Sequence, residues 1–431
     1  MRSIVASRQP GKALARPAIA AVVQQHLEDA AILHATRTAL TGAPHVKLLH
    51  LSRFDERLAA HLDGVAVGGE DASALAEAAL EFASANTLFV AAVGAIQDKH
   101  DERLMRLFAL VQTMPECLDG LISAFGWLDR EQLRGVVSEL LKSTQSERRL
   151  VGVAASALHR IDPGLVMARR LEDPDPVVRA RALRTAGELG KRELVSTLAA
   201  AIFDEDATCQ FWAAWSAVLL GDRQNALDFL KAAALAEGPL QARAFQLSLL
   251  AMSTADVHVL LRQLPPEPDK VRKLIEGAGL SGDVTYVPWL IGHMTDEKLA
   301  RAAGEAFSKI AGADLALLDL ERKPPETNQA GPNDDPEDAN VDMDADEDLP
   351  WPDRDRVQAW WTQHGSGFTP GVRHLVGAPV SRGHCIDILK NGYQRQRIAA
   401  AYYLGLLNPG TPLFEWRAPA WRQQRELAQM A

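Results

Sequence analysis

The sequence predicts an all-α fold, a solenoid of stacked helical hairpins, on three observations. Ala and Leu are plentiful while only 6% of the 431 residues are aromatic, a balance that costs least in helices and adds little to a pleated sheet. Apolar residues recur at spacings of three and four between short breaks, the mark of one buried helical face. A template of small mid-helix residues returns every 31 residues, so each helix pair buries its apolar face against the next pair.

The elements follow in order. The first twenty residues carry Arg2, Arg8, Lys12 and Arg16 with no acid; lacking the apolar core of a secretory signal, residues 1–20 read as a disordered basic tail. Residues 21–70 read as an N-terminal helical cap, in which "AAVVQQHLEDAAILHATRTAL" and "VKLLHLSRFDERLAAHLDG" are separated by the breaker "TGAP". A solenoid is expected over 71–322. Asp71 and Ser73 offer N-caps for a long Ala-rich helix running to Gln97, followed by shorter helices over 101–112, 115–127 and 130–142.

The repeat is arithmetic. Val178, Ala182, Ala186 and Leu189 form one face of a helix opened by the "DPDP" turn; adding 31 gives Cys209, Ala213, Ala217 and Leu220, and adding 31 again gives Leu240, Ala244, Ser248 and Ala251. Subtracting 31 gives Val151, Ala155 and Leu158, and a further step forward reaches Val271 and Ile275. The same spacing returns at Leu299, Ala303, Phe307 and Ile310. Small residues let neighbouring helices approach closely. Second helices such as "RELVSTLAAAIF" and "QNALDFLKAAAL" lie between. Two helices in about 31 residues resemble HEAT-type repeats, clearly over 115–318.

The net charge of −10 is local. Ten acids and no base lie between Pro324 and Pro350, and without them 46 acids face 46 Lys and Arg. A neutral body lacks the footprint that binds phosphate backbones non-specifically, so no nucleic acid is expected as a partner. Residues 323–350, poor in large apolar groups, read as an acidic disordered linker. Residues 351–431 read as a helical region continuing and capping the solenoid. Three scattered cysteines, Cys117, Cys209 and Cys385, form neither a disulfide framework nor a metal knuckle and fit a reducing, cytoplasmic compartment. No window approaches about 18 uncharged apolar residues, so no membrane span is expected.

The phrases "HLEDAAILHATRTAL", "LSRFDERLAAHLDG" and "RIAAAYYLGLLNPGTPLFEWRAPAWRQQREL" resemble an uncharacterised proteobacterial family of HEAT-like proteins whose genes often lie beside those of type VI secretion spike proteins. The resemblance spans nearly the full length except the acidic segment. It implies a cytoplasmic, secretion-associated role in binding another protein, such as a spike or effector protein, and carries no catalytic residues.

Several motifs have bland readings. "GAGLSG" at 277–282 spells a dinucleotide fingerprint but falls on a repeat helix, where Gly279 and Gly282 serve close packing and a C-terminal turn. Asp342, Asp344, Asp346, Asp348 and Asp353 have the spacing of a calcium loop, yet Glu347 stands where the sharp turn needs Gly. His26, His34, His45, His50 and His61 lack zincin spacing. His384 and Cys385 are adjacent, and adjacent helical positions point about 100° apart. No catalytic, cofactor or metal site is therefore expected, nor a small-molecule ligand.

Five of nine tryptophans lie in the last 81 residues, and from Gly371 onward eight bases face three acids. Trp with Arg is the composition of interface hot spots, so Trp360, Trp361, Arg395, Arg397, Trp416, Arg417, Trp421 and Arg422 are the candidate partner-binding residues. The acidic run is expected to cover this surface until a partner displaces it. Repeat solenoids present long concave faces, and the expected function is a non-enzymatic scaffold, adaptor or immunity-like partner in a type VI secretion context. The alternative is a HEAT-fold enzyme on nucleic acid, such as an alkyl-base DNA glycosylase, which needs a basic face and aromatics gripping a flipped base.

Overall fold

The computed structural model describes residues 18–264, 267–325 and 344–430. Nearly all of the expected basic tail and most of the expected acidic linker lie outside the described residues. Among those described the fold is all-α, with 22 α-helices and one short antiparallel ribbon pairing His374 with Pro379 and Leu375 with Ala378. They fall into two compact units, one drawn from Met1–Thr36 and Phe54–Leu133, the other from Arg37–Arg53 and Arg134–Ala431. This division lies at 133/134 rather than at residue 70.

"TGAP" does separate two helices, Ala20–Leu40 and Leu48–Val67. The helix expected to run unbroken to Gln97 is interrupted. Gly69–Ala79 ends in a 3-10 turn, Ser84 is extended, and Ser84 and Thr87 form a capping box that opens Ala85–Gln97. A serine that bonds the local backbone stops a helix that alanine propensity alone would continue. In the first unit Ala85–Gln97 packs on Asp101–Thr113 and Leu118–Trp127, burying Leu88, Phe89 and Ala92 completely. Gly120 is required there, because a Cβ would strike the backbone of Ala85.

The second unit contains the repeat. Its first helices are Ser146–Leu158, Pro176–Glu188, Ala207–Leu219, Gln241–Ala251, Pro268–Ser281 and Ala300–Ala311, with Leu165–Arg170, Val195–Ala201, Asn225–Leu235, Thr254–Leu261 and Val287–His293 between them. Asp175 and Asp206 cap successive first helices by accepting from Val177 N–H and Cys209 N–H at 2.9 and 2.8 Å. Ala182, Ala186, Ala213, Ala217, Ala244 and Ala303 are wholly buried, as the 31-residue template requires. Ser216 fixes one contact by donating across it to Leu183 O at 2.7 Å. Loop aspartates tie one repeat to the next, Arg149 to Asp173 and Arg179 to Asp204, each through a two-point contact at 2.8–2.9 Å.

A helix leaves its last carbonyls without partners, and here the C-terminal region supplies the donors. Val376 N–H and Gly377 N–H donate to Lys309 O and Ile310 O at 2.7 and 3.0 Å, and His374 N–H donates to Gly282 O at 2.8 Å. The Arg373 guanidinium donates to Leu249, Leu250 and Met252 carbonyls at 2.7, 3.1 and 2.7 Å. Leu413 N–H donates to Glu188 O at 2.9 Å, and Arg160 Nε donates to Leu413 O at 2.6 Å. From residue 373 onward, these contacts reach as far back as Arg160. The region thus caps the stack along its side.

The end of the acidic segment is also packed. Asp344 grips Arg301 at 2.6 and 2.9 Å, Asp346 pairs with Arg272, and Asp348 faces His45 at 3.2 Å. Leu349 and Trp351 are buried, with Arg301 over the Trp351 ring. The expected free linker therefore ends by Asp344 and not at Pro350, because two apolar anchors and alternating acids give this stretch a partner. Asp344 and Asp346 meet the repeats and Asp348 meets His45, whereas the sequence places the acidic run over the C-terminal Arg and Trp surface.

Candidate protein-binding surface

The eight residues expected to form one surface are scattered through the second unit. Arg397 is fully buried, its guanidinium donating to Leu389 O at 2.7 Å and to the side-chain oxygens of Gln394 and Gln423. A cation with no exposure cannot touch a partner, so Arg397 leaves the candidate set. Trp416 is buried beside Tyr402, with ring centroids 5.6 Å apart. Trp360 and Trp361 are half-buried edge-on to Phe307. Arg395 pairs with Glu305 at 2.9 Å between two clefts of about 580 and 500 Å³. Trp421 and Arg422 lie half-buried in the helix Ala420–Gln429, and Arg417 is exposed.

Of these, only Trp416 and Arg417 sit at a concentration of aromatic and basic groups, and the repeats supply its other members. Arg181, Trp212 and Arg243 occupy one register position on three consecutive first helices, each 31 residues from the last. The Trp212 ring carries Arg184 over it at 4.5 Å and Arg243 at 5.8 Å. Trp215 stands edge-on to Trp212 at 5.4 Å and to Tyr402 at 6.1 Å. Adding 31 to Arg181 would have found this row in the sequence.

The charges here are unequal. Arg181 and Arg184 share the single carboxylate of Glu188 at 2.8 Å each, and Arg160 pairs with Glu415 at 3.1 Å. The guanidiniums of Arg243 and Arg417 have no carboxylate partner among the described residues, although the Arg417 backbone N–H donates to Glu415 at 3.2 Å. Burial costs Glu188 its hydration, but the guanidiniums of Arg181, Arg184 and Arg160 outweigh that and hold it at about 2. Arg243 is pushed down, first by burial and then by the nearby Arg184 charge, with Arg417 adding to the effect. Arg184 keeps 27% of its side chain accessible, and although burial opposes its charge, the carboxylate of Glu188 outweighs that and pushes it up.

The other motifs resolve simply. Gly279 lies where its helix meets Ala306, and Gly282 is a left-handed C-cap, so "GAGLSG" is a packing helix. Cys385 is buried and pushed up to about 11, and His384 bonds Leu375 O at 2.6 Å. Asp353 caps the helix Arg354–His364, apart from the Arg301 and Arg272 pairs of Asp344 and Asp346; Asp342 lies outside the described residues. His26 and His61 meet at 3.2 Å, and His34 bonds Asn86 and Ser123 at 2.8 and 2.7 Å, stacked on Phe89.

Residues 165–249 match the family of HEAT repeats, and that stretch carries the whole Arg181–Trp212–Arg243 row. The helix pairs of that stretch are thus HEAT-like, a fold that suits helical scaffolds for protein interaction. No curated protein and no solved structure matches the chain. No helix among the described residues is long and apolar enough to cross a membrane.

Proposed function

We propose that the protein is a non-enzymatic scaffold that binds another protein, acting as an adaptor or immunity-like partner in a bacterial type VI secretion setting. The observation that carries this reading is the Arg–Trp–Arg row on adjacent HEAT-like helices, since desolvated Trp and Arg dominate binding energy at protein interfaces. The secretion setting rests on the sequence resemblance alone. A role without chemistry is supported by the state of the reactive groups: Glu188 is committed to three arginines, and burial holds the thiols of Cys209 and Cys385 up at about 12 and 11.

The test is affinity capture with the full chain as bait in lysate of its own source, read by quantitative mass spectrometry with and without nuclease. A protein retained after nuclease treatment and at stoichiometric yield supports the reading. Nothing retained above the control, or retention that nuclease abolishes, refutes it and favours an enzyme acting on nucleic acid.

A further inference from the structure

We infer that the cluster of Arg184 and Arg243 over Trp212, with Arg417 near Arg243, is the docking site for a carboxylate-rich, acidic segment of the partner protein. The inference rests on the protein-binding reading above and names the chemistry of what that surface takes.

Charge decides the sign of the ligand. Arg184 and Arg243 stand over the Trp212 ring, Arg417 adds a further positive charge near Arg243, and the two glutamates of this cluster, Glu188 and Glu415, are already paired with Arg181, Arg184 and Arg160. Like charges close together in a desolvated site are unfavourable until an anion joins them. The depressed basicity of Arg243 reports that condition, because a carboxylate placed there would reverse it. Guanidiniums are planar and present paired N–H donors that match a carboxylate at two points.

Extent decides the class of macromolecule. A nucleic-acid strand needs cations that follow its backbone. The row does not provide them: its next register position after Arg243 is Leu274, and the neighbouring series Arg184, Trp215 continues through Gln246 and Gly277. On the next two first helices Glu276 and Glu305 are interspersed with Arg272, Lys273 and Lys309, so the charges there are mixed. A short patch of cations, held in place by the buried rings beneath it, suits one acidic peptide segment.

The experiment uses the full chain and three fluorescein-labelled probes read by anisotropy: a poly-glutamate peptide, the same peptide with Gln in place of Glu, and a single-stranded oligonucleotide of matched length. The poly-glutamate peptide should bind the wild type with an affinity that falls as salt rises, and the Gln peptide should not bind. Arg243→Glu and Arg417→Glu should each weaken binding about tenfold or more, with melting temperatures measured to show that both variants remain folded. Arg354→Glu, on the exposed side of a remote helix, should leave it unchanged. Equal affinity in both patch variants, no binding of the poly-glutamate peptide to the wild type, or tighter binding of the oligonucleotide would overturn the inference. A chain that fails these tests but still retains a protein partner refutes only the acidic docking site; failure of the capture experiment refutes the scaffold reading itself.

Discussion

Glu188 lies at the C-terminal end of its helix, where the helix dipole disfavours a carboxylate, and yet it stays ionised because Arg160, Arg181 and Arg184 converge on it. An ordinary Glu at 4.5 lowered to about 2 corresponds to roughly 3 kcal/mol of linked stability. Since the folded-state value lies below the unfolded one, this contribution is present above about pH 4.5 and disappears as pH falls toward 2. Melting temperature should therefore drop over that range in the wild type, and Glu188→Gln should start lower and fall less steeply. Parallel profiles for the two proteins would show that Glu188 is not the coupled group. At this scale the sequence is a poor guide. Arg397 counts as surface by type, but it is a core residue because Gln394 and Gln423, 29 residues apart, turn inward to accept from it.

The first helices of the repeat were legible because their signal is periodic and local. Small residues at fixed spacing have one cheap explanation, a close helix contact, and the structure places Ala186 and Ala217 in such contacts with no exposure. Substituting Trp at either position should overpack the contact and cost roughly 1 to 3 kcal/mol or more, seen as a lower denaturant midpoint. Unchanged midpoints in both variants would contradict the register. Boundaries set by one side chain were less legible. The break at Ser84 depends on a reciprocal bond with Thr87, a pattern that an Ala-rich window hides. The packing of Asp344 to Trp351 was hidden in a different way, since composition marks the segment as acidic while its order depends on Arg272 and Arg301 far upstream in the chain.

Across the second unit, the repeat class follows from the sequence and the path of the C-terminal region does not. Contacts such as Leu413 N–H to Glu188 O join residues more than two hundred positions apart, and no periodicity announces them. Their physical cause is general: successive first helices end in unpaired carbonyls along one side of the stack, and a segment laid across those ends satisfies them in turn. That arrangement also brings Arg417 and Trp416 to the row that Arg184, Trp212 and Arg243 form on the repeats, so the candidate docking surface exists only when both parts are folded together. Hydrogen exchange on the full chain, followed amide by amide, tests this most directly. The amides of His374, Val376, Gly377 and Leu413 should be protected as strongly as the interior of Ala207–Leu219 and should open with it in one cooperative step. Fast exchange at those four amides, with the repeat helix still protected, would contradict the account.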